Sequence, residues 1–165
     1  MPEKSMTISV KVSDMILFAG TTNLLVANNL GSDLGVTIFD PIAKVGALFH
    51  AMLPESRVHP DMAQKNPFIF VDTGLPRMLD AAFAKGAFIG HLIAQVAGGA
   101  NLMEKGPQMF AVGMQNANKT FEILKKNNIP VRRQAVGGKQ VRSLYLNLQT
   151  GEGWIDLGET GAGSC

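Results

Sequence analysis

The sequence predicts an α/β fold: a single domain with a mixed, many-stranded β core and two main helices packed on the outside. Three observations predict it. Short apolar or alternating segments of strand length recur through the first and last thirds of the chain. Two longer segments place apolar residues near helical spacing. The 165 residues show no internal repeat and no linker-like shift in composition, so one core is expected.

The elements follow in chain order. Residues 6–12 alternate apolar and polar side chains, and residues 14–20 add a short apolar run. Residues 24–27 form a third strand, ended by the turn Asn28-Asn29-Leu30-Gly31-Ser32. Residues 34–39 and 45–53 read as two buried strands around the turn Asp40-Pro41-Ile42-Ala43-Lys44. The polar stretch 55–67, with Pro60 and Pro67, reads as an exposed loop.

The first main helix is expected over residues 70–85, with Phe70, Leu75, Met78, Leu79, Ala82 and Phe83 near helical spacing and Gly86 as its stop. Pro76 fits best in a first turn, which would start the helix near Asp72 or Thr73. A strand at 91–97 runs into Gly98-Gly99-Ala100. The second helix spans 115–127, with Phe121, Ile123 and Leu124 apolar. Strands at 129–135 and 141–148 flank Gly137-Gly138, and Trp154 with Ile155 marks a last strand. The domain is expected over residues 1–157, followed by a flexible glycine-rich tail at 158–165.

Composition narrows the function. Hydrophobic residues make up 46% and charged residues 17%, the balance of a globular protein with a core. Net charge is +2, and the densest basic cluster, Lys125-Lys126 with Arg132-Arg133, lacks interleaved aromatics, so no nucleic-acid partner is expected. No apolar run of about 18 residues occurs, so a membrane-inserted protein is not expected. The start of the chain lacks the apolar core of a signal peptide, and a cytoplasmic location is the default. The only cysteine is Cys165, which excludes an intramolecular disulfide and cysteine-ligated zinc.

The tight Gly31-Ser32 turn before an apolar run is suited to presenting a reactive side chain, and with His50 downstream a cysteine would be expected at position 33. The chain has Asp33 there instead. Cys165, in a glycine-rich tail with no nearby charge, cannot be held in attack geometry and reads as a spectator thiol. His59 and His91 read as loop and surface residues. No His-x-x-x-His spacing supports a metal site of Asp33 and His50 with His59 or Asp61, so no metal or other cofactor is assigned. The pairs Gly98-Gly99 and Gly137-Gly138 lack the context of phosphate-binding loops and read as tight turns.

A series of motifs then occurs in order: Leu30-Gly31-Ser32-x-x-x-Val36, Asp40-Pro41-x-x-Lys44-Val45-Gly46, His50-x-Met52-Leu53-Pro54, Asp72, Ala97-Gly98-Gly99-Ala100, Gly113-x-x-Asn116 and Gly137-Gly138-x-x-x-Arg142. Together they resemble the CheD family of chemoreceptor glutamine deamidases, from about Gly20 to Gly151. The resemblance implies a CheD-like fold and a cysteine-histidine-threonine site that converts receptor glutamines to glutamates with release of ammonia. Carried over residue by residue, the histidine is His50, the cysteine position is Asp33 and the threonine position is Ala27. Other departures from the family pattern are Asn29 where a glycine is usual, Gln115 where an arginine is usual and Ala135 where an acidic residue is usual. Several changes near one site read as natural divergence rather than a single replacement.

Asp33 has three open roles: an inert polar pair with His50, which is favoured, a contact to a ligand or partner, or a base for water. The leading expectation is a CheD-like protein with impaired catalysis. It would bind a chemoreceptor cytoplasmic helix or a CheC-like phosphatase through a groove lined by Gly31, Ser32, Phe49, His50 and Met52. The rival is an active protein-glutamine deamidase, as the resemblance alone implies.

Overall fold

The computed structural model describes residues 5–102 and 111–160. Nine strands appear among these residues: β1 (Thr7–Ser9), β2 (Asp14–Ala19), β3 (Leu24–Leu30), β4 (Leu34–Asp40), β5 (Val45–Ala51), β6 (Ile93–Gly98), β7 (Val131–Val136), β8 (Gln140–Asn147) and β9 (Gly153–Thr160). Three α-helices join them: α1 (Pro60–Lys65), α2 (Val71–Ala84) and α3 (Val112–Lys126). One sheet has the order β1-β3-β8-β9 and the other β2-β5-β4-β6-β7. The mixed α/β architecture is the one the sequence predicts. None of the described helices is long and apolar enough to cross a membrane.

The central strands β4 and β5 of the five-stranded sheet are buried along their whole length because both faces are covered. Val36, Ile38, Ala47 and Phe49 meet Leu75, Met78 and Leu79 of α2 and Leu124 of α3 in one apolar cluster. Leu25, Ala27, Leu144 and Leu146 meet Phe39, Leu48 and Ala97 in a second cluster between the sheets. Alternation along β4 and β5 sends neighbouring side chains to opposite clusters.

Stretch 55–67 departs from the expected loop. It holds a 3₁₀ turn at Ser56–Val58, helix α1 and the start of a second 3₁₀ turn at Pro67–Ile69. Pro60 opens α1 at a position whose missing N–H costs nothing, and the Asn66 side chain accepts from Phe68 N at 2.9 Å to start the next turn. Helix α2 begins earlier than Pro76 suggested. The amides of Val71 and Asp72 donate to the carbonyls of Leu53 and Pro54, so the chain leaving β5 supplies the acceptors for the helix start. Pro76 therefore lies inside the helix rather than in its first turn.

His91 belongs to a 3₁₀ turn (Ile89–His91) ahead of β6, not to the strand. β9 runs to Thr160, past Gly158 where the tail was expected to begin, and the rest of that tail with Cys165 lies outside the described residues.

The β4–β5 turn is held by Asp40, whose side chain is buried. Oδ1 accepts from Ile42 N (2.8 Å) and Ala43 N (3.0 Å), and Oδ2 accepts from Phe88 N (2.9 Å), with His91 Nδ1 3.4 Å away. Burial pushes this carboxyl up, but the amides of Phe88, Ala43 and Ile42 and the nearby His91 outweigh it and leave the group below its ordinary value. A carboxyl depressed in the folded state stabilises the fold above its unfolded value, near 3.9, and loses that contribution as pH falls through the lower folded value. Asp40→Ala is expected to cost about 3 kcal/mol at neutral pH because up to three amides lose their acceptor. Urea titrations should show the gap to the unchanged chain closing below about pH 4.

Candidate functional site

The site is built where β3 hands over to β4. Across β3 and β8, Ala27 faces Leu144 and Leu30 faces Arg142, so β3 carries one extra residue in a bulge. Asn29 sits in this bulge at φ +57°, a left-handed conformation that glycine adopts freely and asparagine tolerates. The glycine expected here thus has a physical reason, and Asn29 satisfies it. The bulge redirects the chain into the connection Gly31-Ser32-Asp33.

All three carbonyls of that connection are held. Gly31 O accepts from Ala100 N (2.8 Å), Ser32 O from Asn116 Nδ2 (3.0 Å) and Asp33 O from Gly99 N (2.8 Å). The amides of Ser32 and Asp33 make no hydrogen bond among the described residues. The turn is fixed from behind, with donors left over.

His50 and Asp33 meet as the sequence implied. His50 lies near the end of β5, and its Nε2 is 3.1 Å from Asp33 Oδ2. Its Nδ1 is 3.1 Å from the Val10 carbonyl, in the segment after β1. Both contacts are hydrogen bonds at once only when both ring nitrogens carry protons. The imidazole is walled in, with 6% of the side chain exposed, whereas 28% of the Asp33 side chain is exposed.

The other sequence-predicted positions divide. Ser32 is exposed and Gly31 half-buried beside the pair. Ser32 also lines an adjoining groove of about 370 Å³ with Ala100, Asn101, Leu102, Ala111, Val112 and Gly113. Met52 is half-buried, and its carbonyl is taken by Asn116 Nδ2 at 3.1 Å. Phe49 does not line a groove. It is fully buried under α2, edge-on to Phe68 with ring centroids 5.8 Å apart. Phe49 and His50 are neighbours in a strand and so point to opposite faces; only one can face the site. Ala27 is fully buried between the sheets. No three His, Cys, Asp or Glu side chains among the described residues form a cation-holding group.

Two residues quoted only as motif letters prove central. Asn116, fully buried on α3, uses one amide nitrogen to bind both Ser32 O and Met52 O. It thereby ties the chain before position 33 to the chain after His50. Its Oδ1 is buried without a partner among the described residues. Asn116→Ala leaves two carbonyls without their donor and is expected to cost about 2–4 kcal/mol in urea denaturation. It should also shift the His50 ring signals in NMR spectra. Arg142 supports the neighbouring loop: Nη1 donates to Gly98 O (3.1 Å) and Gly137 O (2.7 Å), and burial pushes its guanidinium below the ordinary value.

Residues 52–157 match the family model for CheD chemotactic sensory transduction. The chain is 36% identical over 149 residues to a probable chemoreceptor glutamine deamidase CheD of Solibacter usitatus, covering 90% of this chain and 87% of the relative. It is 33% identical over 148 residues to a protein of the same description from Syntrophus aciditrophicus, covering 90% and 92%. A third, from Thermococcus kodakarensis, is 33% identical over 148 residues, covering 89% and 90%. The family match begins at Met52, so Asp33 and His50 both precede it.

Proposed function

The chain belongs to the CheD family, and from that premise we propose that it is a chemotaxis protein that binds glutamine-bearing chemoreceptor helices without hydrolysing the glutamine amide. The observation that carries this reading is the carboxylate of Asp33 hydrogen-bonded to His50 at the position where the family's chemistry needs a thiol. A carboxylate that attacks an amide carbon forms a tetrahedral adduct whose better leaving group is the carboxylate itself, so the adduct reverts. A cysteine escapes this because the thiolate can stay on as a thioester while the amine leaves protonated.

What survives is the binding apparatus. The Asp33 side chain keeps an oxygen acceptor 3.1 Å from His50 Nε2, on a turn whose Ser32 and Asp33 amides are unengaged among the described residues. The groove beside Ser32, with Leu102 and Val112 exposed on its rim, suits the apolar face of an amphipathic helix. Such receptor helices would place the protein in the cytoplasm. A CheC-like phosphatase is the alternative partner for the same groove.

The test is ammonia release from a receptor-type glutamine peptide. The chain as it stands should give no release above that of His50→Ala, while binding the peptide in a direct assay. Clear turnover that vanishes in His50→Ala would establish the active deamidase instead. Tighter binding to the phosphatase than to any receptor peptide would move the partner assignment.

A further inference from the structure

Asp33 spends only one of its two carboxylate oxygens. Oδ2 faces His50 Nε2 at 3.1 Å, and Oδ1 has no hydrogen-bond partner among the described residues. Because the imidazole is almost wholly covered, the group this site offers to a visiting side chain is the second Asp33 oxygen. Beside it stand the amides of Ser32 and Asp33, which make no hydrogen bond among the described residues. An acceptor next to amide donors is the complement of a carboxamide, which has N–H groups to donate and an oxygen to accept.

The same arrangement disfavours a carboxylate. A glutamate in place of the glutamine has no N–H for Asp33 Oδ1 and brings a second negative charge against it. Asp14 adds to this field. It is the register partner of His50 across β2 and β5, so its exposed carboxylate lies on the same face.

We propose that this chain reads the amidation state of receptor glutamines, holding the side-chain amide and rejecting the deamidated acid. The proposal rests on the binding-without-hydrolysis reading above and gives that binding a specificity. It makes Asp33 a specificity-determining residue rather than a vestige. A chain of this kind would occupy receptor sites still carrying glutamine and shield them from an active deamidase. It would leave once they are converted.

The test uses the full chain and labelled helical peptides identical except for Gln, Glu or the γ-methyl ester of Glu at one position. Affinity is read by fluorescence anisotropy, with ammonia measured in parallel. The glutamine peptide should bind about tenfold or more tighter than the glutamate peptide, the loss expected when a hydrogen bond to a charged group is removed. The ester should fall between them, having neither donor nor charge. In Asp33→Asn the glutamine-to-glutamate ratio should drop to within about twofold, because the introduced carboxamide can donate to an acid as well as accept from an amide.

A measurement on the unchanged chain guards against a misfolded variant. The discrimination should weaken from about 50 mM to 500 mM salt as the charge repulsion is screened. Equal affinity for Gln and Glu, a ratio unchanged in folded Asp33→Asn, or no salt dependence would overturn the reader. Ammonia release from the glutamine peptide by the unchanged chain would instead overturn the reading without hydrolysis on which it rests.

Discussion

Asp33→Cys is expected to switch on ammonia release from a receptor-type glutamine peptide, by about 10³-fold or more over the unchanged chain, since removing the nucleophile of a serine protease costs at least that much. The single change should suffice. The turn that would present the thiol is held by three hydrogen bonds to its carbonyls, and none of them involves the Asp33 side chain. His50 already sits within hydrogen-bond reach of that side chain. The decisive point is the other ring nitrogen. The resemblance implies a threonine that orients the histidine, and its position is Ala27 in this chain. Here Nδ1 is 3.1 Å from the Val10 carbonyl, which fixes the tautomer that leaves Nε2 for a thiol. Ala27 is completely buried, so a threonine hydroxyl there needs a partner of its own or costs about 1–3 kcal/mol. Adding Ala27→Thr to Asp33→Cys should therefore change the rate by less than about fivefold. Asp33→Cys with His50→Ala should be silent. A large gain only in the double variant would show that the Val10 carbonyl does not do the threonine's work.

What was legible in the sequence follows from which groups leave a signature there. β4 and β5 were legible because two covered faces demand uninterrupted apolar runs. The juxtaposition of positions 33 and 50 was legible because motif order carries topology. Phe49 was misplaced because closeness along a strand means opposition across it, and a motif gives closeness along the chain only. The Val10 carbonyl was invisible in principle, since every residue owns a carbonyl and only the fold decides which one reaches the site. Asn116 was visible as a letter but not as a role. Its work is to join two backbone segments, and neither Ser32 nor Met52 has a side chain that betrays the join. The 55–67 segment was misread because its polarity belongs to short helical turns lying on the surface, where composition resembles that of a loop.

Gly98→Ala is the substitution that should damage both fold and site most for the fewest atoms added. Gly98 ends β6 at φ +112°, outside the left-handed pocket that asparagine tolerates at Asn29. A Cβ there would overlap the Asp33 carbonyl oxygen, and Asp33 O is the acceptor for Gly99 N. The Gly98 carbonyl in turn accepts from Gly137 N and from Arg142 Nη1, each at 3.1 Å. The residue is therefore pinned on one side and abutted on the other, and backbone cannot step aside as a flexible side chain can. The expected loss is about 3 kcal/mol or more, combining the left-handed strain with the overlap. Gly20→Ala separates the two contributions. Gly20 also has positive φ, at +68°, but a Cβ there meets nothing within 4 Å. Its replacement should cost only about 1–2 kcal/mol, the strain alone. In urea denaturation the difference between the variants measures how stiffly the turn carrying Asp33 is held. If Gly98→Ala costs no more than Gly20→Ala, the turn gives way to the methyl, and a site able to yield so easily cannot hold Asp33 at one fixed distance from His50.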